Sequence, residues 1–189
     1  FTGTGTLRKS GANSLVWSSG AANFQLGSGA LIDVQGGTLT GGSTANEVWT
    51  SNLADLNVAG GATFAGVEAN VKVDAITGTG TISTGFTGAG YTTFTIGVDN
   101  GSSTFDGVIA NGSAAGNVTK AGTGTITLTN ANTFSGGTII SGGTIVAANT
   151  AALGALAAGS AVAMTRVACD ADERITGDAL LDFIRPVGG

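Results

Sequence analysis

From residue 1 to about 148 the apolar residues recur at every second position over short stretches. In Thr123-Gly-Thr-Ile-Thr-Leu-Thr129 the threonines fall on one side and Gly124, Ile126 and Leu128 on the other. The same alternation runs through 69–75 and 92–98. A period of two is that of a strand with one face buried. The stretches are short, Gly-Gly and Gly-Ser pairs separate them, and nothing in this region repeats at the helical period. Strands of this kind suit a coil in which each is paired with the coil before it and the coil after it, with glycine supplying the positive φ values at corners.

Self-similarity strengthens that expectation. Gly-Thr-Gly-Thr plus an aliphatic residue occurs at Gly3 to Leu7, Gly78 to Ile82 and Gly122 to Ile126. Thr-Phe-x-Gly-Val-x-Ala-Asn occurs from Thr63 to Asn70 and again, 41 residues later, from Thr104 to Asn111, with an echo at Thr133, Phe134 and Gly136. The offsets of 41, 44 and 75 lie near multiples of about 20, the size of one β-solenoid coil. The fold expected is an all-β, right-handed parallel β-helix over residues 1–162. The paired motifs predict that Phe64 and Phe105 occupy equivalent inward sites two coils apart. Asn70, Asn111 and Asn132 are expected at left-handed corners or with their amides bonded to neighbouring coils.

One segment carries a specific resemblance. Val118 to Val146, continuing to Ala152-Leu153-Gly154, resembles the autotransporter-associated β-strand repeat. In that family a Lys-x-Gly-x-Gly-Thr-Leu-x-Leu strand leads into Asn-x-Tyr-x-Gly-Gly-Thr and then Gly-Gly-Thr-Leu. Lys120, Gly122, Gly124, Thr125, Ile126, Leu128, Asn132, Phe134, Gly136, Gly137, Thr138, Gly143, Thr144 and Ile145 fill those places, with Phe where the family has Tyr. Gly3 to Trp17 is a looser copy. The resemblance implies a β-helical passenger of a self-exported bacterial protein: secreted or displayed on the cell surface, and associated with the outer membrane through regions not present here. The ten-residue amphipathic strands of the family's membrane barrel are not visible at either end.

Composition narrows the chemistry. The chain has 34 Gly, 10% charged residues, no His and a formal net charge of −5. Without His, Ser-His-Asp and Cys-His nucleophile systems and Cys/His zinc sites are excluded. Sparse Lys and Arg give no basic stripe for nucleic acid. The Gly-Thr-Gly-Thr stretches are turns, since neither a helix nor Gly-Lys-Ser/Thr follows them as in phosphate-binding loops. No run approaches the length of a membrane helix, so no direct membrane span is expected in this segment. The chain opens at Phe1 without Met or a signal peptide and is expected to be a mature product or an excised fragment.

Residues 163–189 differ in texture. From 166 onward they hold 8 of the 19 charges, with the sole cysteine, Cys169, and the sole proline, Pro186. They are expected to be a cap, a linker or a non-native tail. Thr176 or Asp178 stands as N-cap of a short helix carrying Ala179, Leu180, Phe183 and Ile184 on one stripe. The run from Asp170 to Leu181 fails as a calcium loop, because Arg174 and Leu181 stand where ligands are needed.

No catalytic, cofactor-binding or metal-ligating residue is expected. The function expected is a spacer, scaffold or surface-binding module. Its expected partners are host or environmental glycans, surface proteins or neighbouring copies meeting end to end or laterally. The alternative is a carbohydrate-active β-helix enzyme, a polysaccharide lyase or glycosidase, using outward acids drawn from Asp33, Glu47, Asp55, Glu68, Asp74, Asp99 and Asp106. A third class is a flat binding face for glycans or ice, lined by the threonines at 4, 6, 79, 81, 123, 125, 127 and 129. Trp17, Trp49 and Tyr91 are candidates for stacking on sugars or for packing between coils.

Overall fold

The computed structural model describes residues 1–17, 22–41, 47–67, 69–86, 90–155 and 163–164. They form strands and turns wound into a parallel β-solenoid. All strand pairs among them are parallel.

Each coil contributes to up to three faces. The first face stacks Thr6–Lys9, Leu31–Val34, Asp55–Val58 and Ile76–Gly78. It continues through Ser103–Phe105, Thr125–Leu128 and Thr144–Ala147, joined to the lower block by the bond from Asp106 N to Gly78 O. The second face stacks Ser14–Trp17, Thr38–Gly41, Thr63–Ala65, Thr81–Thr84 and Val108–Asn111. The third has Thr2–Gly3 beside Gln25–Leu26 and the bridge of Asn23 to Val48 at one end, and Val71–Lys72, Thr93–Ile96, Asn117–Lys120, Thr138–Ile140 and Ala163–Met164 stacked as a separate ladder beyond, with Asn52 Nδ2 donating to Lys72 O at 2.8 Å between the two.

The alternation read from the sequence decides which side chains enter the solenoid. Ile32, Leu56 and Ile76 follow one another inward on the first face, Leu39, Phe64, Ile82 and Ile109 on the second, and Val71, Phe94 and Val118 on the third. All are buried in a single apolar cluster. A stack of like aliphatic residues leaves few gaps, because parallel in-register strands lie only about 4.8 Å apart. At the lower end Phe24 stacks on Trp49 at 3.9 Å between ring centroids, and Trp49 meets Phe64 edge-on at 5.9 Å.

The repeated Thr-Phe motif does not stack as its sequence suggested. Phe64 and Phe105 are both buried, but they stand on different faces. The ladder above Phe64 passes to Ile82 and then to Ile109, while Phe105 is level with Leu128 on the first face. The physical reason is coil length. The two steps above Phe64 take 18 and 27 residues, so a motif displaced by 41 residues arrives one strand early.

The proposed tail helix, Cys169, Pro186 and the rejected calcium loop lie outside the described residues, as does Glu68. Among the described residues no helix is long and apolar enough to cross a membrane.

Candidate functional site

The coils bring outward polar groups together in two places. The first is a ladder on the outside of the first face, where Arg8, Asp33 and Asn57 are paired in register and Thr77 follows. Arg8 Nε donates to Asp33 Oδ2 at 2.8 Å, while Gln35 Nε2 and Asn57 Nδ2 donate to Asp33 Oδ1 at 2.5 and 2.8 Å. Thr77 Oγ1 donates to Asn57 Oδ1 at 3.1 Å. Burial raises the Asp33 pKa, but the three donors and the Arg8 charge together outweigh it and hold the carboxyl below its usual value. A carboxylate so fully engaged is a brace between coils, with little capacity to take a proton.

The second place is the corner between the third and first faces. Asp55 Oδ1 accepts from Ala75 N at 3.0 Å. One coil on, Asp74 Oδ1 accepts from Asp99 N at 2.7 Å and Gly101 N at 2.9 Å. Burial first, then the charges of Asp74 and Asp99, raise the Asp55 pKa against the Ala75 hydrogen bond. Three of the sequence's seven candidate acids thus share a corner. Of the other four, the three among the described residues stand apart. Asp33 sits in the ladder, Glu47 is buried against Gly41, and Asp106 accepts from Thr129 Oγ1 at 2.7 Å. Among the described residues no group of three or more His, Cys, Asp or Glu is arranged to hold a metal ion.

The asparagines singled out by sequence link coils. Asn70 Oδ1 accepts from Thr93 N at 3.0 Å, and Asn111 Oδ1 accepts from Gly116 N and Ser135 N. Asn132, almost fully buried, accepts from Ile109 N below at 2.7 Å and donates to Ala152 O above at 2.5 Å. None of the three takes the left-handed corner. Asn100, which the sequence reading passed over, does so with φ of 68°.

Of the candidate stacking rings, Trp49 belongs to the core, while Trp17 is part-buried against Phe24 at 5.2 Å. The threonines proposed as one flat face are divided: Thr6, Thr125 and Thr127 lie on the first face and Thr81 on the second. Open grooves of about 200 to 410 Å³ occur where the stack begins, lined by Phe1, Leu7 and Leu26 and by residues 8–15, and another of about 340 Å³ lies beside 147–150 and Leu153.

The segment with the sequence resemblance shows what its residues do. Lys120 is fully buried, and its Nζ donates to the carbonyls of Ala121 and, at 3.5 Å, Gly122. Lys9 does the same at another corner, to Ser10 O, Gly11 O and Gly36 O at 3.0, 2.7 and 2.7 Å. Burial pulls the Lys120 pKa down, against the nearby Asp74 charge. Gly122 has φ of 58°, and a Cβ there would strike the Gly97 carbonyl in the coil below. Gly143, φ 63°, stands in the same relation to Gly124. Ile126, Leu128 and Phe134 fill the core, Asn132 brackets the coils, and Thr138 Oγ1 donates to Leu153 O at 2.9 Å.

No curated protein and no solved structure matches the chain. A family model does, over residues 118–147, and its description is passenger-associated-transport-repeat. Over that segment the chain therefore matches the passenger-associated-transport-repeat family, in agreement with the autotransporter passenger repeat that its residues resemble.

Proposed function

We propose that this chain is a non-catalytic β-helical segment of a secreted or surface-displayed bacterial protein, serving as a spacer, scaffold or adhesive module. The observation that carries the reading is that the residues of the repeat are engaged in building coils. Lys120 caps carbonyls, Gly122 and Gly143 permit close approach, Asn132 joins three coils, and the apolar positions pack inward. None is left over for chemistry on a substrate. A passenger repeat of this kind supports a location outside the cell.

A polysaccharide lyase or glycosidase is the second reading, favoured by the meeting of Asp55, Asp74 and Asp99 at one corner and by the raised Asp55 pKa. Against it, Asp74 Oδ1 and Asp55 Oδ1 are occupied by backbone N–H groups. Incubation of the purified chain with acidic and neutral polysaccharides separates the two. The expected result is no cleavage, with binding as the signature of an adhesin. Reproducible cleavage abolished by Asp55→Asn would replace the scaffold reading with the enzyme.

A further inference from the structure

The chain contains two Asn-Gly pairs, Asn100-Gly101 and Asn111-Gly112, both with exposed asparagines. Asn-Gly is the dipeptide in which a backbone nitrogen most easily reaches the preceding side-chain amide, because glycine offers no Cβ to obstruct it. Both amide oxygens accept from two donors, Asn111 Oδ1 from Gly116 N at 2.9 Å and Ser135 N at 3.0 Å, but the structure treats the attacking glycine nitrogens and the leaving Nδ2 groups in opposite ways.

At Asn100, the Gly101 N–H points at a carboxylate, Asp74 Oδ1, at 2.9 Å. The amide oxygen Oδ1 accepts from both Thr123 N at 3.0 Å and Thr123 Oγ1 at 3.1 Å. Among the described residues nothing is hydrogen-bonded to its Nδ2. At Asn111, the Gly112 N–H is committed to the neutral carbonyl of Thr84 at 2.6 Å in the coil below. There Nδ2 is held by Ser135 Oγ at 2.8 Å. Asn100 is also the residue whose φ of 68° places it in the left-handed region.

We infer that Asn100-Gly101 is a self-modifying site, in which Asp74 and Thr123 promote cyclisation of the Asn100 amide onto the Gly101 nitrogen. A base facing the attacking N–H and two donors facing the carbonyl oxygen are the elements of general-base and oxyanion assistance. The Gly101 proton passes to the Asp74 carboxylate as the Gly101 nitrogen bonds to Asn100 Cγ. The carbonyl electron pair moves onto Oδ1 beneath the two Thr123 donors. When that pair returns, the Cγ–Nδ2 bond breaks, and Nδ2 leaves as ammonia carrying the proton from Asp74. Water then opens the cyclic imide on one side or the other, leaving aspartate or isoaspartate at position 100. Either product sets a further carboxylate beside Asp74 and Asp99, so ageing of this one residue loosens the corner that joins the 74, 100 and 123 turns.

The test follows the purified chain through incubation in mildly alkaline buffer, with peptide mapping by mass spectrometry to read aspartate and isoaspartate at positions 100 and 111. In the folded chain, position 100 is expected to convert several-fold faster than 111, and in urea the two rates should converge. Asp74→Asn, which keeps an acceptor but removes the base, should slow position 100 and leave 111 unchanged. Equal rates in the folded chain, the same disparity after unfolding, or a folded Asp74→Asn chain that converts at the original rate would each overturn the inference. Should circular dichroism show that Asp74→Asn does not fold, Thr123→Val decides: slower conversion at 100 supports the assisted reaction, and an unchanged rate refutes it.

Discussion

The buried lysines show how much a single side chain settles in a fold built of turns. Lys120 lies inside the solenoid with its ammonium on the backbone carbonyls of Ala121 and Gly122. Lys120→Met keeps most of the volume but takes that donor from the carbonyls, a loss of about 1 to 3 kcal/mol. Lys120→Ala adds a cavity and should be the more destabilising of the two, an order that urea unfolding will show. The depressed pKa gives a signed pH dependence. Between the folded value and the ordinary 10.5 of the unfolded chain, the unfolded state holds more protons, so this residue's contribution to stability rises with pH across that window. The stability difference between the parent and Lys120→Met should therefore grow on the alkaline side and level off near 10.5. Asp33 acts at the other end of the scale. Its carboxyl is held below 3.8, so its contribution is complete above that value and is lost as pH falls through the folded pKa. An acid titration of Asp33→Asn against the parent should show the gap between them closing in that range.

At the scale of the element, corners and strands carry different penalties. Gly61 and Gly122 both have positive φ, 78° and 58°, but a Cβ at 61 meets nothing while a Cβ at 122 meets the Gly97 carbonyl. Gly61→Ala should lose only the left-handed backbone cost of about 1 to 2 kcal/mol. Gly122→Ala should lose clearly more, because the coil spacing itself must give, and thermal melts of the pair will separate strain from collision. In the connection between Thr125–Leu128 and Thr138–Ile140, Phe134→Ala removes a fully buried ring and should cost about 3 to 5 kcal/mol. The alternation that buries Ile126 and Leu128 and turns Thr127 outward was legible in the sequence, since a period of two has one structural meaning. The bracket made by Asn132 was legible in part. Its residue type pointed to bonds between coils, whereas its burial between Ile109 and Ala152 depended on the neighbouring coils being present.

For the whole molecule, contacts run almost entirely between successive coils, so stability is distributed along the stack in nearest-neighbour steps. The strand Ser14–Trp17 has a coil on one side only among the described residues, and Leu15 and Val16 are 44% and 45% exposed. Hydrogen exchange should therefore open Thr6–Lys9 and Ser14–Trp17 well before Leu31–Val34 and Asp55–Val58, which are paired on both sides. Uniform protection along the stack would contradict this.

The sequence by itself determined that the chain makes short one-face-buried strands, that glycines turn its corners, that the strands stack as parallel coils, and that residues near 118–147 form a passenger-type repeat. The strands and corners rest on local residue type and on a period of two, which fixes only whether a side chain points in or out; the coils rest on motif offsets near multiples of about 20, and the repeat on its resemblance to a known family. The tertiary structure alone decided which strand lies over which. Coil steps range from 18 to 27 residues, and turns absorb the difference without altering the in-or-out pattern. That is why Phe64 and Phe105 both point inward yet stand on different faces. It is also why Asp55, Asp74 and Asp99 meet at one corner. Registration between parallel coils is set by the length of chain spent on each circuit and by the packing of the circuit beneath, and neither is written in the strand that is being placed.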